Sequence, residues 1–521
     1  MQGQDIKSEL FSVKDAGIIK RKFAYFLLFM LSTLFVTVRY CYADFDNTYL
    51  KNLFDQNKSF QFEGIIISDP EFKKTYWKYE VLVKNNSTDI GTNPKILSDR
   101  GSKILVKEKS RTTELKNSSV NSSVEQYSNS ANLNRPTYGD YIRFDAKITK
   151  PKLIEGSDGR DFDYEYFLQK DNIFYIADAE NVHLIGTGQA DKITQTLYLI
   201  KRKFMQNIED ILPAPYAFLA TGLIISGKGS LDKELQEQFQ KVGLIHIVVL
   251  SGSNVSIVGE AISKFFSFLP KFWGGIFGSV GIILFGVMTG GGATVCRSVI
   301  MSIIGIYARL SGRNNSALVS LIVAGFLMLF QNPKLLLHDP SFQLSFMATL
   351  GLIFLGSPIE DILKRTKDKL QSLSSLLSSS LKYIPQSFVS LIATTIATQI
   401  FTLPFIIKFS GVVSLVAIPV NALVLPLIPL TMLFVFLTGV ISFMTSLLAF
   451  LPAFVSWVLL KYELVTVGYF SALPFAAITL PPITPLIFFG MYFIVILISI
   501  FLNTGKSLSE KMGSVQMIAP S

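Results

Sequence analysis

The fold of this chain turns on residues 243–258, which read GLIHIVVLSGSNVSIV. A histidine, three serines and an asparagine interrupt a run that is otherwise apolar enough to enter a bilayer, where each unsatisfied polar group costs several kcal/mol. Gly252 offers a point at which a helix can break, and broken membrane helices occur where they face protein or a water-filled cavity. The stretch therefore predicts the wall of a polar path. A kinked helix whose polar groups bond to its neighbours is the alternative.

The composition indicates a polytopic membrane protein with a soluble part, because 50% of the 521 residues are hydrophobic and only 17% are charged. The net charge of +10 is typical first of cytoplasmic loops and only second of a nucleic-acid partner. Two cysteines and three histidines are too few for a disulfide scaffold or a histidine-rich two-metal hydrolase. No CxxC, HExxH or Walker A pattern occurs, so we expect no metal site, no cofactor and no ATPase.

The N-terminal third predicts an anchored soluble domain. Lys20, Arg21 and Lys22 precede an apolar run over 23–40, which favours an uncleaved anchor with a cytoplasmic N-terminus. Alternating segments follow, and they predict a small extracytoplasmic barrel of the OB type: FQFEGIIIS, TYWKYEVLVK, KILVK, DYIRFDAKIT and NIFYIADAENVHLI. The Ser/Asn-rich segment 117–134 predicts a disordered surface insertion.

Charge within this domain is uneven. Residues 73–152 hold sixteen Lys and Arg against eight Asp and Glu. Aromatic faces mixed with cations favour single-stranded nucleic acid, and the candidate DNA-binding residues are Tyr76, Trp77, Lys78, Arg143 and Lys147. Alternatively, the aromatic rings fill the barrel and the lysines only solvate it.

The remainder predicts about ten transmembrane helices, counting the anchor. Residues 193–212 predict an amphipathic helix on the membrane, and 216–225 a re-entrant or interfacial segment too short to span. The further expected spans are 242–266, 272–290, 294–310, 316–331, 341–355, 388–407, 412–442, 446–470 and 485–502. This arrangement places every strongly basic loop and both termini in the cytoplasm. The expected domains are 1–43 (anchor), 44–190 (barrel), 191–228 (amphipathic and re-entrant segment), 229–505 (membrane channel) and 506–521 (cytoplasmic tail).

Four segments in order resemble the competence domain of the ComEC family, over about residues 210–440: LPAPYAFLATGLIISGKGSLDKELQEQFQKVGLIHIVVLSGSNV, ATVCRSVIMSIIGIYARLSGR, NPKLLLHDPSFQLSFMATLGLIF and TQIFTLPFIIKFSGVVSLVAIPVNALVLPLIPL. The segment DFDYEYFLQKDNIFYIA resembles the end of that family's OB-like domain. The resemblance implies a multi-pass channel in the bacterial inner membrane that passes single-stranded DNA to the cytoplasm during natural transformation. It also implies separate DNA-delivery, nuclease and motor proteins as partners. Many members carry a C-terminal metallo-β-lactamase-like domain, and since no HxHxDH occurs here, nuclease activity of that kind is not expected.

A path for a phosphate polyanion must be wet and lined by groups that bind it weakly enough to release it. The candidate lining residues are His246, Ser251, Ser253 and Asn254 in the core stretch, Arg297, Asp339 with Gln343, Thr398 with Gln399 and Thr402, and Asn421. Each has a structural alternative: snorkelling for the arginine, helix capping for the aspartate, hydrogen bonds to the helix backbone for the threonines and a satisfied kink for Asn421.

Three functions stay open from the residues. The first is DNA uptake, and the second is secondary transport of another anionic or small solute through the same broken helices. The third is an intramembrane serine hydrolase that uses Ser251 or Ser253 with His246. On a continuous helix His246 and Ser251 lie about 140° apart, so that chemistry needs the helix break. Cys41 and Cys296 both approach the outer face, where a disulfide between them is possible.

Overall fold

The computed structural model describes residues 50, 54, 58–73, 76–87, 95–96, 102–109, 135–154, 156, 159–225, 232–248, 250–314, 316–373 and 385–516. The expected anchor at 23–40, the insertion at 117–134 and Cys41 lie outside these residues, so those predictions are not tested.

The N-terminal part is a closed barrel. Its strands are β1 (Ser59–Ile66), β2 (Glu71–Lys73), β3 (Tyr76–Ser87), β4 (Lys95–Ile96), β5 (Ser102–Lys109), β6 (Tyr141–Thr149) and β7 (Ile176–Gly186). β1 pairs with both β3 and β6, which closes the five long strands in the order β1-β3-β5-β7-β6. Among the described strands, only β5 and β7 run parallel. Alternate residues of β1 and β6 point inward, where Phe62 stacks on Phe144 at 5.6 Å between ring centroids. The predicted OB-type barrel is confirmed.

Helices make up nearly all of the rest. They are α1 (Tyr164–Gln169), α2 (Lys192–Ile211), α3 (Tyr216–Ile225), α4 (Lys233–Lys241), α5 (Ile245–Val248), α6 (Gly252–Phe265), α7 (Lys271–Met288), α8 (Ala293–Leu310), α9 (Ala317–Gln331), α10 (Leu335–His338), α11 (Pro340–Leu373), α12 (Gln386–Phe409), α13 (Ala417–Val424), α14 (Ile428–Ile441), α15 (Ser446–Ser471) and α16 (Pro485–Gln516). Two short strands, β8 (Val412–Ser414) and β9 (Ala477–Thr479), pair antiparallel.

Within the described residues, six helices are long and apolar enough to cross a membrane: α7, α8, α11, α12, α15 and α16. The pair α13 and α14 adds a seventh if the two count as one span. The membrane class is therefore confirmed, whereas the expected number of ten spans is not. The difference arises at segments where chain geometry interrupts an apolar run.

Three expected spans take another form. Residues 242–266 are divided into α5 and α6, since the backbone at Ser251 is extended. Residues 412–442 begin as β8 and continue as α13 and α14, which are bent by 46°. Residues 316–331 form only the 15-residue α9. In contrast, α11 runs 34 residues and continues well past the expected end at Leu355, because Pro358 does not stop it. A proline removes one helical hydrogen bond, and neighbouring helices can compensate for that loss.

The largest core among the described residues encloses the segment expected to be re-entrant or interfacial. Eight of the ten residues of α3 are buried, and Phe204 of α2 lies directly over Gly439 of α14. α2 carries a buried face at Tyr198, Phe204 and Ile208 that packs on protein, while its Leu199 and Ile200 are exposed. α3, α5, α13, α14 and α15 all contribute to the same core. This core holds the break between α5 and α6 in place.

Candidate functional site

The break predicted at Gly252 is present, and its polar groups are used locally. Ser251 caps α6, since its Oγ accepts from the Asn254 backbone N–H at 3.2 Å. The same Oγ lies 2.7 Å from Ser253 Oγ and donates to Asn254 Oδ1 at 2.9 Å. The buried Asn254 side chain donates in turn to the Leu223 carbonyl of α3 at 3.0 Å. The asparagine thus ties the break to α3, while Ser253 is exposed.

Arg297 of α8 is buried and bonds only to neutral groups. Its Nε donates to Ser345 Oγ at 2.7 Å and its Nη1 to Thr349 Oγ1 at 2.8 Å, both on α11. Nη1 also approaches the Met301 sulfur at 3.4 Å. Among the described residues no carboxylate pairs with this guanidinium. A buried cation without a counter-ion is expensive, so the position implies an anion or water within reach.

The structure brings two of the predicted sites together. A Cβ added to Gly252 would lie 2.3 Å from Arg297 Nη2 and 2.9 Å from Ser298 Oγ. The guanidinium therefore lies against the first residue of α6, and only glycine leaves it that room. A helix N-terminus carries partial positive charge, and it meets a full positive charge here. Together the two favour an anion on the open side, where Ser253 is exposed.

His246 does not join this cluster. Its Nδ1 pairs with the Gly243 carbonyl at 3.1 Å, and its ring is exposed. In the described part of the chain neither Ser251 nor Ser253 bonds to the imidazole. A serine hydrolase needs a base in contact with its nucleophile. The arrangement therefore offers that reading no support.

Asp339 caps α11 and also bridges to the barrel domain. Its Oδ1 accepts from the Ser341 N–H at 2.8 Å, as capping predicts, while its Oδ2 pairs with Lys170 Nζ at 3.0 Å. Gln343 donates to the carbonyls of Leu336 and Leu337, and its Oε1 is buried with no hydrogen-bond partner in the described part of the chain. The acid is thus used for docking as well as capping.

That ion pair belongs to a junction between the barrel and the membrane domain. The rings of Tyr166 and His338 stack with centroids 3.5 Å apart, and Lys334 Nζ donates to Asn172 Oδ1 at 2.8 Å. Arg160 donates to the Leu480 carbonyl next to β9. Burial lowers the pKa of His338 below its ordinary value of 6.5, and the charge of Lys334 acts in the same direction. Docking therefore favours the neutral form of the imidazole.

A second contact lies at the loop after β1. Asp69 pairs with Lys201 Nζ at 2.9 Å and with Arg202 Nη2 at 2.9 Å, both on α2. Tyr138 meets Tyr198 edge to face at 5.2 Å between centroids. In OB folds the loop after the first strand and the loop between the fourth and fifth strands border the ligand site. Here the corresponding loops both touch the membrane domain.

The threonine stripe of α12 lies elsewhere. The hydroxyls of Thr394, Thr398 and Thr402 donate to backbone carbonyls of their own helix, which is the backbone alternative. Gln399 is partly exposed. α12 packs against Gly351 of α11, on the side opposite Thr349, so the stripe and Arg297 lie on different sides of α11.

Asn421 occupies the middle of α13, as the prolines around it suggest. Its side chain is buried, and Oδ1 has no hydrogen-bond partner among the described residues. The side-chain oxygen of Asn421 therefore leaves part of its hydrogen-bonding capacity unused at this kink. Whether this group lines the path stays a prediction, as it does for the other lining residues.

The candidate DNA-binding residues of the barrel do not form one surface. Tyr76, Trp77 and Lys78 lie on β3, whereas Arg143 and Lys147 lie on β6, on the other side of β1. The first group is partly occupied, since Arg135 lies 4.6 Å over the Trp77 ring, Lys107 lies 5.4 Å from the Tyr76 centroid, and Lys78 approaches Glu80 at 3.9 Å. In the second group, Arg143 pairs with Glu63 at 2.6 Å while Lys147 is exposed.

Cys296 is partly buried and forms no disulfide within the described residues, and its Sγ lies 3.0 Å from the Gly291 carbonyl. Its proposed partner Cys41 lies outside the described residues, so the disulfide stays a prediction. No group of three or more His, Cys, Asp or Glu that could hold a metal occurs within the described residues.

The sequence analysis did not identify the hydrogen-bond and ion-pair partners of these residues. Ser345 and Thr349 are one helical turn apart, which is a signal that could have identified them as a polar pair facing Arg297. Lys170 gave no such signal, because its partner Asp339 is 169 residues away. Glu463, the one acidic residue of α15, could have been found as an acid within a span.

A family model described as Competence protein matches residues 223–504, which is more than half of the chain. An uncharacterized protein of Aquifex aeolicus (strain VF5) is 29% identical over 192 residues, or 37% of this chain and 45% of that protein. ComE operon protein 3 of Bacillus subtilis (strain 168) is 22% identical over 269 residues, or 51% of this chain and 31% of that protein. The chain thus spans less than half the length of each relative. No solved structure matches it.

The match covers the helix break, Arg297 and every long apolar helix described above, so it rests on the same residues that build the site. This chain is therefore a membrane protein that belongs to the ComEC family of competence proteins.

Proposed function

We propose that this protein takes up DNA, passing a single strand through its membrane domain and across the bacterial inner membrane into the cytoplasm. The observation that carries the proposal is the buried Arg297, held only by neutral groups beside the N-terminus of α6. Membership of the competence family supports the same function. Delivery, nuclease and motor proteins are the partners that this function would need.

The chemistry of the cluster suits a moving polyanion. A phosphodiester that reaches Arg297 displaces no carboxylate, since among the described residues the guanidinium donates to the hydroxyls of Ser345, Thr349 and Ser298 and to the Met301 sulfur. Hydroxyl partners hold the side chain in place and are cheap to exchange. Such a site can bind each phosphate briefly and release it, which conduction requires.

The barrel is suited to receive the strand first. Its two docked loops adjoin α2 and α10, and its β6 face keeps Lys147 exposed. We infer that DNA contacts the barrel and then enters beside the junction. This order needs binding to the barrel that weakens as salt rises.

The test compares two arginines of one helix. Arg297→Gln and exposed Arg309→Gln remove the same charge from α8, and both are placed in a competent host that lacks its own copy. Entry of labelled DNA into the cytoplasm should be lost for Arg297→Gln and retained for Arg309→Gln, with equal amounts of membrane-inserted protein. Arg297→Lys should keep part of the activity, because it keeps the charge without the planar geometry.

Full entry with Arg297→Gln would contradict the proposal. A transporter of a small solute remains the competing function, and binding of single-stranded DNA by the full chain separates the two. A transporter would show no salt-dependent DNA binding.

A further inference from the structure

A second ionisable group lies deep in the membrane domain, away from Arg297. Glu463 is on α15, a helix otherwise apolar enough to span, and only 1% of its surface is exposed. Acidic groups within spans are rare and costly, and many of them bind or relay protons. Nothing in the DNA path proposed above uses this carboxyl.

The contacts of Glu463 fit a protonated carboxyl. Thr431 Oγ1 of α14 lies 2.6 Å from Glu463 Oε1 and 3.1 Å from the Leu427 carbonyl. The threonine hydroxyl has one hydrogen, and the carbonyl can only accept. When the hydroxyl donates to the Leu427 carbonyl, as helix threonines commonly do, the carboxyl must be protonated to donate to Thr431. The 2.6 Å separation is normal for such an O–H···O bond.

Among the described residues, no charged group compensates a carboxylate at this position. α13 and α14 carry no ionisable residue, and α3 carries only Tyr216, whose ring lies against Trp457. The remaining ionisable groups on α15 and on the elements packed against it are exposed or paired elsewhere: Lys461, Tyr462 and Tyr469 of α15; Lys233, Glu234, Glu237 and Lys241 of α4; and Lys192, Tyr198, Lys201, Arg202, Lys203, Glu209 and Asp210 of α2. A single carboxyl with one hydroxyl is also too small a ligand set for a metal ion.

The surroundings couple this carboxyl to the helix break. Along the interface between α14 and α15, Thr438 and Ser456 form a second polar pair, one heptad away from Thr431 and Glu463. The fully buried Val435 and Leu460 lie between these two polar pairs. Ionisation of Glu463 would therefore have to open the seam between α14 and α15 to admit water. α3 packs against both helices, and its Leu223 carbonyl holds Asn254 at the break.

We propose that Glu463 is a proton-binding site of the membrane domain. It holds a proton in the packed arrangement described here and releases it to water when α14 and α15 separate, and α3 transmits this change to the break beside Arg297. The binding of the proton stands by itself, whereas its coupling to DNA entry rests on the proposed function.

Proton binding is tested on the purified full chain in lipid nanodiscs. Infrared difference spectra are recorded as pH is raised from neutral, for the wild type, Glu463→Gln and the control Ser456→Ala. The wild type and Ser456→Ala should show a protonated carboxyl band that disappears at high pH, and Glu463→Gln should lack it. A band of equal size in Glu463→Gln, or none in the wild type, would overturn the proposal.

Coupling is tested by DNA entry as a function of external pH. Glutamine keeps the shape and the hydrogen bond to Thr431, so a merely structural Glu463 predicts unchanged entry and unchanged pH dependence in Glu463→Gln. Proton coupling predicts loss of the pH dependence, with thermal unfolding and protein amount like those of the wild type. If Glu463 titrates but no DNA enters through the wild type, the proposed function fails while the proton site stands.

Discussion

Replacing Gly252 by alanine tests the contact on which the candidate site depends. The new Cβ would lie 2.3 Å from Arg297 Nη2, so the guanidinium must move by roughly 1 Å to reach ordinary contact. That movement stretches the bonds to Ser345 and Thr349, which are 2.7 and 2.8 Å long. Losing one hydrogen bond from a charged group costs about 1.5–3 kcal/mol, and alanine returns at most about 1 kcal/mol of helix propensity. We expect a net loss of about 1–2 kcal/mol in the free energy of unfolding.

Gly468→Ala in α15 is the matched control, because its added Cβ has no atom within 4 Å. This variant should gain about 0.5–1 kcal/mol in stability from the same change of residue. Thermal unfolding in nanodiscs measures both, and uptake of labelled DNA measures function. We expect Gly252→Ala to lower the unfolding temperature and abolish uptake, and Gly468→Ala to do neither. Normal uptake together with a raised unfolding temperature in Gly252→Ala would refute the assigned contact.

Three further predictions concern the junction and the packing of the membrane domain. Burial lowers the pKa of His338 below 6.5, so the docked imidazole resists protonation. We therefore expect docking to be complete above about pH 6.5 and to weaken as the pH falls below that value. Energy transfer between labels on the barrel and the membrane domain would measure this, and a His338→Gln variant that kept the same pH dependence would contradict it. Lys170→Met leaves the buried Asp339 without its cation, a loss that typically costs about 3–5 kcal/mol. We expect this variant to expose the loop between β6 and β7 to protease. Lys152→Met, in the exposed part of the same loop, should not. Gly351→Ala places a Cβ 2.5 Å from the Ala397 carbonyl oxygen. We expect it to separate α11 from α12 and to lower the yield of folded protein. A yield equal to that of the wild type would show that the two helices can shift at little cost.

Local sequence patterns mispredicted helix boundaries where the same residue types occur both in continuous helices and in interrupted ones. The apolar run over 412–442 looked like one span, yet it begins as β8 after the turn at Gly411, whose φ is +67°, and it bends by 46° between α13 and α14. The span expected over 341–355 continues through Pro358, which lies within α11. The period of a pattern reports which face is apolar, and it does not report whether a neighbouring helix replaces a lost hydrogen bond.

The sequence by itself determined the membrane class, the five barrel strands and the break at Gly252, because each depends on residues close together in the chain. Only the tertiary structure decided that Arg297 lies against that glycine and that Asp339 pairs with Lys170. It also decided that the basic residues of β3 and β6 lie apart. These relations join segments tens to hundreds of residues apart, and the helix and strand periods carry no information about which distant faces will meet. Long-range packing decides these contacts. A glycine has no Cβ and so lets another side chain approach closely, and a buried charge left without a partner costs free energy.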